Sequence, residues 1–78
     1  MTIAQLMRKL DTLQDITSEQ LMKYTSKQAL DGVRTYYTTR ATTMLEVAMW
    51  CNVLTEEEYN NLYRVYITLY QEMGLWNK

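Results

Sequence analysis

Residues 52–59 read NVLTEEEY. Thr55 followed three positions later by Glu58 is a capping-box pattern, in which the hydroxyl takes the Glu58 N–H and the carboxylate takes the Thr55 N–H. Glu56, Glu57 and Glu58 then stand over the positive end of a new helix dipole. One helix therefore ends near Asn52 and another begins at Thr55.

Downstream, this last helix is predicted to run to about Met73 and stop at Gly74, with Leu75 and Trp76 folding back on its final turn. Helical spacing puts Tyr59, Tyr66 and Tyr70 at the centre of its apolar face. Leu62, Leu69 and Met73 lie on one flank, Tyr63 and Ile67 on the other. The leucine flank is expected to pack on the other helices. A phenol fills space like phenylalanine but must keep its hydroxyl hydrated or paired. The tyrosines therefore read either as rigid interface anchors or as a core whose hydroxyls reach the rim.

Upstream, a long helical region is predicted from about Ser18 to Asn52, with Gly32 as its weak point. Ala29, Val33, Tyr36, Tyr37, Met44, Val47, Ala48 and Cys51 are read as its buried face. In MLEVAMWCNVL, residues 44–54, Leu45, Met49 and Trp50 point elsewhere, so this segment is expected to be buried on most sides or docked on another chain. At the start of the chain, Ile3, Leu6, Met7, Leu10 and Leu13 form one helical face. Thr17 and Gln20 repeat the capping-box spacing, with Ile16 as a staple, and predict that the second helix begins there. The expected fold is all-α: one domain, 1–78, a small bundle of three to four helices with a long central helix.

Composition agrees. The chain has 78 residues, no proline and two glycines, and 47% of it is apolar. That excludes a disordered tail or a turn-rich β domain. A lone core of this size supplies only ~3 to 5 kcal/mol, which favours self-association, a homodimer being the simplest form. With one cysteine and no histidine, a disulfide framework and the common zinc sites are excluded. No apolar run is as long as a membrane span, and the start of the chain does not read as a signal peptide, so the expected setting is soluble and cytoplasmic.

Catalytic chemistry has little to work with. Cys51 has no histidine base, the Glu56–Glu58 triplet fans out around its helix, and no phosphate-binding glycine loop is present. The chain is expected to be no enzyme and to carry no cofactor or metal. Arg40, placed by helical spacing among Tyr36, Tyr37, Met44 and Val47, either snorkels to an internal partner or emerges to meet another molecule. The candidate partner-binding residues are Tyr63, Tyr66, Tyr70, Trp50 and Arg40. Lys23, Lys27 and Arg34 align if the helix is continuous through Gly32, and they support an alternative reading as a DNA-binding regulator of helix-turn-helix type. A structural or assembly oligomer is the third reading.

The cassette NVLTEEEYNNLY, residues 52–63, resembles a turn and helix start that recurs in short accessory proteins of bacteriophages and related mobile elements. The resemblance implies a small protein that binds a bacterial host protein or phage complex and modulates it, as inhibitors of defence nucleases do.

Overall fold

The computed structural model describes residues 1–68. Among them the chain is all-helical: α1 (Ile3–Lys23), α2 (Lys27–Trp50) and α3 (Glu56–Tyr63), which runs on into a π-helical turn, Arg64–Thr68. The predicted end of the last helix, with Leu69, Tyr70, Met73, Gly74, Leu75 and Trp76, lies outside the described residues.

Local chemistry sets each helix end. Thr2 caps α1, accepting the Gln5 N–H at 3.2 Å while the Gln5 side chain accepts the Thr2 N–H at 2.9 Å. Ser26 caps α2 by accepting the Ala29 N–H. Thr55 and Glu58 form the predicted capping box at α3. Helix α2 ends in a Schellman motif. Asn52 takes the left-handed conformation at φ 59°, its N–H bonds Met49 C=O, and the Val53 N–H reaches Ala48 C=O at 2.8 Å. That turn swings Leu54 back into the core.

Two expectations are corrected here. Thr17 does not begin a helix; it lies inside α1, buried, and its hydroxyl donates to Leu13 C=O at 2.7 Å. A threonine can sit within a helix when its hydroxyl bonds back one turn, and here burial among leucines outweighs its preference for a cap. The long helix from Ser18 is therefore two helices, parted at Tyr24–Ser26, and α2 continues unbroken through Gly32.

The buried stripe of α1 is Leu6, Leu10, Leu13, Thr17 and Leu21, at spacings of three or four. That of α2 is Tyr37, Ala41, Leu45 and Ala48. This rotates the predicted face: Leu45 is at its centre, whereas Tyr36, Val47 and Cys51 are exposed. Ala41 and Ala48 put small side chains in this stripe beside Tyr37 and Leu45. Helix α2 packs on α1, on α3 and on the π turn. Tyr66 and Ile67 close the core from that side, with Tyr59, Leu62 and Tyr63 packed around them.

Candidate functional site

Helices α1 and α2 run side by side in opposite directions. Gln14 meets Tyr37, Thr17 and Gln20 share a cleft with Val33 and Gly32, and Leu6 and Lys9 share one with Met44 and Val47. The hairpin so formed has two sides, and they differ in chemistry.

One side is closed by α3 and the π turn through a chain of hydroxyls. The Tyr37 hydroxyl, fully buried, donates to the Tyr66 carbonyl at 2.6 Å and accepts from Gln14 Nε2 at 3.2 Å. The Tyr66 hydroxyl donates to Asp11 Oδ1 at 2.8 Å. Burial, reinforced by the hydrogen bond and charge of Asp11, pushes the Tyr66 phenol up to about 12. Tyr59 is raised as well, by burial first and then by Glu46 and Tyr63.

The other side is an open strip. Near the turn, Ile16 and Gln20 of α1 and Tyr24 just past its end face Ala29, Gly32, Val33 and Tyr36 of α2 across a cleft of about 560 Å³. Ile16 is 49% exposed and Tyr36 56%. Adjoining depressions continue the strip, lined first by Arg8, Lys9, Thr12, Arg40 and Met44, then by Met1, Thr43 and Val47. The Arg40 guanidinium lies over the Tyr36 ring, 5.6 Å from its centroid, which holds the charge at the surface above apolar floor. None of the described residues lining these depressions is a carboxylate; Asp15 and Glu19 are exposed elsewhere on α1.

The predicted partner-binding residues fall in different places. Arg40 belongs to the open strip. Trp50, 69% exposed, stands three residues beyond Val47 on the same side of α2. Tyr66 is only 5% exposed and is a core residue whose hydroxyl is satisfied within the chain. Tyr63 is half-buried against the core, its ring 6.0 Å from that of Tyr59. Tyr70 lies outside the described residues. The basic trio does not assemble either: Lys23 closes α1, Lys27 opens α2 across the turn, and Arg34 bonds Asp31 at 3.0 Å.

Helical spacing places Tyr36, Met44 and Val47 around Arg40, but Arg8, Lys9 and Ile16 of α1 are not joined to them by the sequence alone. Once Tyr37, Ala41, Leu45 and Ala48 are taken as the buried stripe, Tyr36, Arg40, Met44 and Val47 stand out as a second stripe at the same spacing. That was the available signal. Among the described residues no cluster of three or more cysteine or acidic side chains is placed to hold a metal ion, and no described helix is long and apolar enough to cross a membrane. Comparison with protein-family models, curated proteins and solved structures gave no match. The strip therefore has to be read from its own chemistry.

Proposed function

We propose that this chain is a non-catalytic protein-binding module, a small helical bundle centred on α2, that works through the open side of its α1–α2 hairpin. The observation that carries this reading is the continuous strip of exposed Ile16, Tyr36 and Val47 interrupted by Arg8, Lys9 and Arg40. Apolar and aromatic floor with arginine at its edge is the composition of surfaces that bury against another protein. The resemblance of residues 52–63 to phage and mobile-element accessory proteins supports a target among bacterial host complexes in the cytoplasm, a defence nuclease for example, which the module inhibits or redirects. Trp50, beyond the end of the strip, would extend the contact. A second copy of the chain is the rival occupant of the same side.

A photoreactive amino acid placed at Tyr36, compared with one at exposed Asn60 on α3, tests the surface in bacterial extract. The expected result is an adduct with a protein identifiable by mass spectrometry from position 36 but not from 60, abolished by Arg40→Glu. Adducts from position 60 alone would refute the assignment. Adducts between two copies would replace the foreign target with self-association.

A further inference from the structure

We propose that the open side of the hairpin receives an acidic amphipathic helix from the partner, its apolar stripe on Ile16, Val33, Tyr36 and Met44 and its carboxylates on Arg8, Lys9 and Arg40. This rests on the protein-binding reading and specifies the chemistry of what is bound.

Shape comes first. Two antiparallel helices leave a shallow trough between them, and along α1 the lining residues from Gln5 to Gln20 cover roughly 22 Å at 1.5 Å per residue. A helix laid in such a trough presents anchors at every third or fourth position. The host spacing matches: Val33, Tyr36, Arg40, Met44 and Val47 on one wall follow one another at three or four residues, as Lys9, Thr12, Ile16 and Gln20 do on the other.

Charge decides the partner's character. Arg8, Lys9 and Arg40 are exposed around one segment of the trough, and none of the described residues lining that segment is a carboxylate. Like charges gathered over an apolar floor raise the cost of covering that floor with anything but an acidic surface. The chain's own acidic helix does not fill the role for a second copy, because the apolar face of α3, with Tyr59, Leu62 and Tyr63, is already packed on its own core. Among the described residues of a second copy no free acidic helix is left for the trough, and the proposed occupant is a helix of another protein.

The test uses the full chain and a labelled peptide of about 18 residues, ~27 Å as a helix, with leucine at heptad positions one and four and glutamate beside them. A second peptide carries lysine for every glutamate. Fluorescence polarisation at near-physiological salt should show the glutamate peptide binding at least about tenfold more tightly than the lysine peptide. In the double variant Lys9→Glu, Arg40→Glu that order should reverse, an outcome that mere loss of folding does not produce; circular dichroism on the same samples confirms helicity. Equal binding of the two peptides, or binding of neither, overturns the proposal. So does capture of duplex DNA or anionic vesicles in place of the glutamate peptide, or light scattering that shows the strip occupied by a second copy. Should the peptide fail while position 36 still cross-links to a foreign protein, the helix chemistry falls and the protein-binding reading stands.

Discussion

Adjacent tyrosines 36 and 37 face opposite fates, and removing one hydroxyl at a time measures the difference. Tyr37→Phe deletes a fully buried hydroxyl that donates to the Tyr66 carbonyl at 2.6 Å and accepts from Gln14. Losing a buried hydrogen bond of this kind costs about 1 to 2 kcal/mol. The Gln14 amide is half-buried and turns to water, so it adds little. In a domain of this size 1 kcal/mol moves the midpoint by roughly 4–8 °C, so Tm should fall by about 4–16 °C. Urea unfolding followed by circular dichroism should show a lower midpoint with the slope unchanged, since the surface exposed on unfolding is the same. Tyr36→Phe is the internal control. Its ring is mostly exposed, and the change should stay within about 0.5 kcal/mol. Equal effects at the two positions would refute the claim that the Tyr37 hydroxyl fastens the π turn to α2.

Cap identity is tested by Ser26→Ala and Thr55→Ala, each expected to cost ~1 kcal/mol, against Thr17→Val, expected to stay within about 0.5 kcal/mol because its hydroxyl only bonds back within α1. A large loss at Thr17 would restore a cap there. Gly32→Ala should stabilise by ~0.5–1 kcal/mol in thermal melts, because an added Cβ meets nothing within 4 Å and the helix is continuous; a lower Tm would show that α2 needs a weak point. At alkaline pH the Tyr66 phenol, near 12 when folded against about 10 when unfolded, contributes stability that is complete below pH 10 and lost as pH rises toward 12. Tyr66→Phe should flatten that part of the stability profile, and an unchanged profile would remove the cause assigned to it.

The fold class was readable because three signals agreed: no proline, periodic leucines in α1 and the Thr55–Glu58 box. The division between α1 and α2 was not. Thr17 and Gln20 carry the spacing of a cap but lie inside a helix, because burial of Thr17 between Leu13 and Leu21 outweighs the local preference. The true break at Tyr24–Ser26 has no glycine or proline, and Ser26 is followed at the third helical position by Ala29, which cannot return the capping bond. Position-by-position reading also weighted size over phase. It gives the large side chains of Tyr36 and Val47 to the core together with Tyr37 and Ala48, whereas the stripe that packs joins Ala41 and Leu45 to Tyr37 and Ala48.

That last point explains why the candidate site was only partly legible. Apolar residues surround much of α2, so no single face stands out by hydropathy, and the choice between faces is made by what the neighbours can accommodate. Successive residues on a helix are about 100° apart, which is enough to send Tyr37 under the π turn and Tyr36 out beneath Arg40. The same residue type thus serves stability at one position and leaves an aromatic surface at the next. Burial of Tyr37, Ala41, Leu45 and Ala48 against leucines of α1 and against Tyr66 and Ile67 uses one side of the hairpin. What remains on the other is a trough whose floor is apolar and whose described charged lining residues, Arg8, Lys9 and Arg40, are all basic, and those two properties together favour a ligand that brings both a hydrophobic stripe and carboxylates.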